Sequence, residues 1–174
     1  MLENIRKLRE MTSLGVNDCK SAIKEAEGDF DKALALLKKR GASLLAKKSS
    51  RLASQGLIES YVHFGGNLGV LAEINCETDF VARTEVFKKF AKDIAMQIAA
   101  SGAQYIKKED VPQAELDSVP NAAAHIKQIC LLEQSFIKDS KKTVDDYLKE
   151  VVSQIGENIV IRRFVRYSLG EDES

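Results

Sequence analysis

Three cysteines and two histidines could carry chemistry in this chain, but their spacing favours no reaction. A thiol nucleophile needs an imidazole within hydrogen-bond reach, and His63 lies on a strand predicted to pair with the one that carries Cys76. A thiol enzyme at Cys76 is therefore the least favoured functional hypothesis. Cys19, Cys130 and His125 add no metal-ligand spacing, and an odd number of scattered cysteines indicates reduced thiols. The sequence predicts neither a metal site nor a cofactor.

Phosphate and nucleic-acid sites are not indicated either. Gly65-Gly66 leads into a strand rather than a helix, which is typical of a turn and not of a phosphate-binding loop. The basic stretch from Lys38 to Arg51 has no interleaved aromatic residues, so we interpret it as a solvated linker. Arg162-Arg163 is interpreted as edge-strand charge. We expect no direct contact with nucleic acid.

The most informative stretch is the segment 75–83, where a strand pattern ends and an acid stands beside a phenylalanine. Apolar residues alternate up to Cys76, and the period becomes helical from Val86. Asp79 and Phe80 lie at this junction. In one interpretation Asp79 caps the helix and Phe80 lies in the core, although Thr78 could equally be the cap. In the other, Asp79 and Phe80 are both presented to a partner. Periodicity does not decide between these alternatives.

Two groups of elements surround this junction. The N-terminal part predicts three short helices, at 3–11, 17–26 and 30–39, with Asp29 as a cap for the third and Gly41 as its end. A basic, partly helical linker follows.

The second part predicts a hairpin, 57–64 and 68–76, joined by Gly65-Gly66-Asn67. The remaining predictions, in chain order, are an amphipathic helix at 85–101, irregular chain with at most one helical turn at 107–121, helical composition at 122–133, a helix at 143–155 that Thr143 caps, and a strand at 158–167. The fold class is α+β, a three-stranded antiparallel sheet flanked by helices after a helical bundle. We divide the chain into a helical module (1–41), a linker (42–55), a core domain (56–170) and an acidic tail (171–174).

The charge distribution favours a protein partner. The 174 residues carry 26 basic and 26 acidic side chains, with 12 against 7 in residues 1–51 and 14 against 19 in the remainder. A polarised but neutral chain suits a protein better than a polyanion. No apolar run reaches the ~20 residues that span a bilayer, and the charged N-terminus is unlike a signal peptide. We expect no membrane association.

Five separated blocks resemble the translation elongation factor Ts family, in the family's order. They are Leu8 to Thr12, Asp18 to Ile23, Glu25 to Asp29, Asn75 to Val81 and Ile155 to Phe164. The resemblance implies that the N-terminal bundle is a ubiquitin-associated-like module. It also implies guanine nucleotide exchange on elongation factor Tu, a GTPase, rather than catalysis at a bond-making active site.

The resemblance also implies contact residues. Asp79 and Phe80, within the motif Thr78 to Val81, would enter the Tu G domain beside its magnesium and phosphate site. Arg9, Val16 and Asn17 match the second contact, on the helical module. His63 matches a motif near the hairpin that touches another Tu domain.

Departures from the family pattern change some of these expectations. The chain has room for a single core subdomain, which resembles the short family form that works as a homodimer, so we expect core domains to pair through their sheets. Ser135 replaces a proline common in relatives. The expected location is the cytoplasm, or the plastid stroma for a plastid-encoded chain. The alternative function, from a different class, is a peptide-binding adaptor that uses the N-terminal module.

Overall fold

The fold is a three-helix bundle followed by an α+β core. The computed structural model describes residues 2–12 and 14–171, with only the backbone described for 42–47, so most of the predicted acidic tail lies outside the described residues. The helices are α1 (Leu2–Thr12), α2 (Val16–Glu25), α3 (Phe30–Ser49), α4 (Asp79–Ala82), α5 (Glu85–Ser101), α6 (Gln113–Ser118), α7 (Ala122–Ile129) and α8 (Val144–Ile155). The strands are β1 (Gln55–Val62), β2 (Leu68–Cys76), β3 (Ser135–Phe136), β4 (Asp139–Thr143) and β5 (Ile159–Ser168). The α+β class is confirmed.

The N-terminal bundle closes around its own small core. Its buried residues are Ile5, Leu8, Cys19, Ala22, Ile23, Ala26, Ala33 and Leu37. Asp29 caps α3 as predicted, because its carboxylate accepts a hydrogen bond from the Lys32 amide at 3.0 Å.

The predicted end of the third helix at Gly41 is wrong, since α3 continues to Ser49. A glycine inside a helix costs only about 1 kcal/mol, and the alanines, leucines and lysines that follow are good helix formers. Most of the stretch interpreted as a linker is therefore the second half of α3.

The main sheet has the strand order β1-β2-β5, and both pairings are antiparallel. Gly56 is required where β1 pairs with β2 opposite Asn75, because a Cβ at that position would lie 2.1 Å from the Ile74 carbonyl oxygen. Helices α5 and α8 pack against one face of the sheet and against each other. The periodicity of α5 is confirmed, with Phe87, Phe90 and Ile94 fully buried.

The segment between α5 and α8 departs most from prediction. Residues 107–121 contain a 3₁₀ turn and the six-residue α6, and α7 ends at Ile129 rather than Glu133. A small hairpin, β3 with β4, was not predicted at all. Its second strand has the sequence Asp139-Ser-Lys-Lys-Thr143, which is polar and mostly exposed, so no alternating apolar pattern marks it. Thr143 caps α8 as predicted.

Candidate functional site

The β2–α4 junction presents Phe80 to solvent. Strand β2 ends at Cys76 and α4 begins at Asp79, with Thr78 as its N-cap. Phe80 is 80% exposed, so the core position that the sequence left open is wrong. The cap assignment is also decided, because Thr78 Oγ1 accepts a hydrogen bond from the Val81 amide at 3.4 Å and Asp79 is the first helical residue.

Asp79 lies beside Phe80 and is also accessible. Its Oδ2 forms an ion pair with Arg83 Nη2 at 2.9 Å, one helical turn later, and both side chains are at least half exposed. Exposed pairs of this kind contribute about 0.3–0.5 kcal/mol, so a competing cation or hydroxyl could displace Arg83 at small cost. The carboxylate is available to a partner.

The residues next to Phe80 anchor the junction to the core. Val81 is partly buried and packs against the main core cluster. Cys76 is fully buried, and its Sγ donates to the Thr78 carbonyl oxygen at 3.1 Å. The exposed residues Thr78, Asp79 and Phe80 thus lie between the buried Cys76 and the partly buried Val81, and Phe80 projects from a base that is fixed on both sides.

Glu157, in the loop between α8 and β5, binds the same junction. Its Oε2 accepts hydrogen bonds from the amides of Glu77 and Thr78 at 3.1 and 3.0 Å, and its Oε1 accepts one from Thr78 Oγ1 at 2.6 Å. In return, Glu77 Oε1 accepts one from the Asn158 amide at 2.6 Å. Sequence reasoning missed this clamp, although Glu157 and Asn158 lie in one of the five matching blocks.

Cys76 is not a reactive thiol. Burial, and then the negative charge of Glu157, raise the pKa of Cys76 to about 11, so the side chain is protonated at neutral pH. His63 follows the far end of β1, whereas Cys76 pairs with Gln55 at the near end. The strand length separates them by roughly 25 Å. The thiol-enzyme hypothesis fails on this geometry.

The predicted residues of the N-terminal module lie on a different surface. Arg9 is exposed on α1, and Val16, which is 48% exposed, begins α2 with the exposed Asn17 after it. All three belong to the bundle and not to the core sheet. The side chains of residues 42–47, which link this bundle to the core, are not described.

His63 lies at the hairpin turn. The Tyr61 hydroxyl and His63 Nδ1 are 3.1 Å apart, and the His63 amide donates to the Leu68 carbonyl oxygen. The length of β2 separates this turn from the junction by roughly 25 Å. The structure therefore brings Thr78 to Val81 together and leaves His63 apart from them.

The sheet face that α5 and α8 do not cover is apolar. Its exposed large side chains are Ile58, Val62, Leu71, Val165 and Tyr167. The register sets them side by side across three strands, with Leu71 opposite Val165. We call these five residues the open sheet face.

Within residues 2–12 and 14–171, no group of three or more His, Cys, Asp or Glu residues could hold a metal ion. The described helices include none that is long and apolar enough to span a membrane.

Comparison with known proteins identifies the family. The family model described as "Elongation factor TS" matches residues 7–124 and 121–171. Elongation factor Ts of Carboxydothermus hydrogenoformans is 47% identical over an alignment of 190 positions, which covers 96% of this chain and 88% of the relative. Elongation factor Ts of Thermoanaerobacter sp. strain X514 is also 47% identical, with 96% and 93% covered. The chain belongs to the elongation factor Ts family.

Proposed function

We propose that this chain is a guanine nucleotide exchange factor that releases GDP from elongation factor Tu by inserting Phe80 and Asp79 beside the magnesium and phosphate site. Membership of the family supports nucleotide exchange on Tu as the role. The observation that carries the insertion step is the 80% exposure of a phenylalanine whose neighbours are fastened to the core. An exposed aromatic side chain on a fixed base is the kind of anchor that dominates protein interfaces.

The two side chains would act differently. Phe80 would enter a pocket of the G domain as an apolar wedge and displace the elements that hold the magnesium environment. Asp79 would exchange Arg83 for polar groups of Tu and change the electrostatics there. Nucleotide held mainly through Mg²⁺ and phosphate contacts then dissociates faster. No covalent bond is made or broken.

Thermodynamic linkage constrains this mechanism. If the factor weakens GDP binding to Tu by a given ratio, GDP weakens the binding of the factor by the same ratio. The factor therefore binds nucleotide-free Tu tightly, and incoming nucleotide displaces it.

The exposed residues of the N-terminal module would form the second contact with the G domain. Arg9 offers a cation, Val16 a small apolar side chain and Asn17 an amide. His63 would contact another domain of Tu from the far end of the hairpin.

We further propose that the open sheet face pairs with the same face of a second chain. When helices cover one face of a sheet, the opposite face is normally polar where it meets solvent. An apolar face is normally buried against another element. Here the exposed large hydrophobic side chains are the five of the open sheet face, and the charges of Glu73 and Arg163, which lie among them, are paired with each other at 2.7 Å. Because the patch is almost neutral and continuous over three strands, an identical surface can pack on it. Two Phe80 wedges would then belong to one dimer.

Both relatives named above come from bacteria, and we propose the bacterial cytoplasm as the working location. The direct test of function is release of fluorescent GDP from Tu, compared between the wild-type chain and Phe80→Ala. Loss of acceleration in this variant, with its fold intact, is the expected result.

A further inference from the structure

The wedge needs support that its own helix cannot give. Helix α4 has four residues, too few for hydrogen bonding within it to make it stable in isolation. Phe80 gains nothing from burial in the free protein because it is exposed. Something outside α4 must hold the junction in one conformation.

Among the described residues, Glu157 forms the most side-chain hydrogen bonds to the junction from outside it. Its two oxygens accept three hydrogen bonds from Glu77 and Thr78, and hydrogen bonds to a carboxylate are stronger than those between neutral groups. One of them comes from the hydroxyl of the α4 cap. Glu157 therefore fixes both the direction in which β2 ends and the orientation of the cap.

We propose that Glu157 is a positioning residue for nucleotide exchange, which holds Thr78 and α4 so that Phe80 meets Tu already oriented. This inference rests on the proposed function. Glu157 acts through Glu77 and Thr78 and does not itself contact Tu. It acts by raising the fraction of molecules whose junction is ready to bind.

The reciprocal bonds extend the clamp to the chain that follows α3. Glu77 accepts from the Asn158 amide and lies 3.6 Å from Arg51 Nη1. The buried Asn158 donates from Nδ2 to the Arg51 carbonyl oxygen at 2.8 Å, just beyond the end of α3. One network thus connects the wedge to the chain that carries the second contact region.

A positioning role predicts a specific kinetic signature. If only a fraction of the molecules have the junction oriented to bind Tu, the apparent affinity for Tu is reduced by that fraction. The rate of GDP release within the bound complex does not change. We expect E157A to need about tenfold more protein for half-maximal GDP release, with the saturating rate within about twofold of wild type. Phe80→Ala should instead lower the saturating rate.

The experiment measures release of fluorescent GDP from Tu over a range of factor concentrations. Glu157→Gln keeps an acceptor oxygen for the two amides and should stay within about threefold of wild type, whereas Glu157→Asp ends one methylene short and should behave like E157A. Glu150→Ala is the matched control. It removes a carboxylate from α8 whose partner is Lys142, away from the junction, and should leave both kinetic constants unchanged.

Amide hydrogen exchange in the free protein measures how strongly the clamp protects the junction, without Tu. In E157A the amides of Glu77 and Thr78, which donate to Glu157, and those of Val81 and Ala82, which donate to Thr78, should exchange about tenfold faster, while those of α5 keep their protection. If wild type accelerates GDP release but E157A and Glu157→Asp match it at every concentration, the positioning role is overturned and the proposed function survives. If wild type itself fails to accelerate release, the proposed function is overturned and the positioning role falls with it.

Discussion

Thr78 Oγ1 donates to Glu157 Oε1 at 2.6 Å, across 79 positions of sequence, and accepts from the Val81 amide at the same time. One hydroxyl therefore joins the loop before β5 to the cap of α4. Phe80 lies inside the turn that this hydroxyl closes, and it is the residue of that turn with the most exposed large side chain.

Phe80→Ala should leave the fold and its stability almost unchanged. An exposed side chain contributes little to folding, so the free energy of unfolding should change by no more than about 0.5 kcal/mol. Phe90→Ala is the control, since Phe90 is fully buried and its loss should cost about 3–5 kcal/mol. Urea unfolding followed by circular dichroism measures both. A large loss of stability in Phe80→Ala would show that this side chain belongs to the core.

Asp79→Asn should separate the charge of the site from its shape. The variant loses the ion pair with Arg83, which is worth about 0.3–0.5 kcal/mol at an exposed position, so stability should hardly change. GDP release from Tu should slow, because the carboxylate no longer alters the electrostatics beside the nucleotide. Arg83→Ala removes the same ion pair and leaves the carboxylate, so it should retain exchange. Equal loss in both variants would contradict a role for the Asp79 charge.

Leu71→Glu should prevent pairing through the open sheet face. Leu71 lies on the central strand, opposite Val165, and a carboxylate there would have to be buried without a partner in the proposed dimer. Light scattering should give the mass of two chains for wild type and of one chain for the variant. Leu2→Glu, an exposed leucine on α1, is the matched control and should remain dimeric. A monomeric wild-type chain at micromolar concentration would overturn the proposed dimer.

Stability should fall as the pH rises from 9 to 11. The pKa of Cys76 is raised by burial from an ordinary value of 9.0 to about 11, so the folded chain keeps a proton that the unfolded chain releases in this range. The contribution of the protonated Cys76 thiol to the free energy of unfolding is therefore complete below pH 9 and is lost as the pH passes 11. Urea titrations at pH 8, 9, 10 and 11 should show a shallower decline for Cys76→Ala. An equal slope in both proteins would contradict the assignment.

The elements with strong periodicity could be predicted from sequence. The amphipathic α5 and the three strands of the main sheet follow from alternation and helical spacing. Helix in the first part of the linker could be predicted, but its continuity with α3 through Gly41 could not, because a glycine is compatible with a helix end and with a helix interior. The β3–β4 hairpin is polar and short, so no pattern marks it.

The candidate site was predictable in position but not in orientation. The change of period placed a junction at Asp79 and Phe80, yet the same pattern fits a buried or an exposed phenylalanine. Its direction depends on Glu157, whose bonds to Thr78 cross the sequence and leave no local signal. Long-range hydrogen bonds to backbone amides are invisible to periodicity.

Insertion of Phe80 is tested by the rate of fluorescent GDP release from elongation factor Tu at saturating factor, for wild type against Phe80→Ala. We expect strong acceleration by wild type and a loss of at least about tenfold in the variant, equivalent to about 1.4 kcal/mol of transition-state stabilisation. Circular dichroism should show that both chains are folded. Equal acceleration by the two proteins would contradict the wedge.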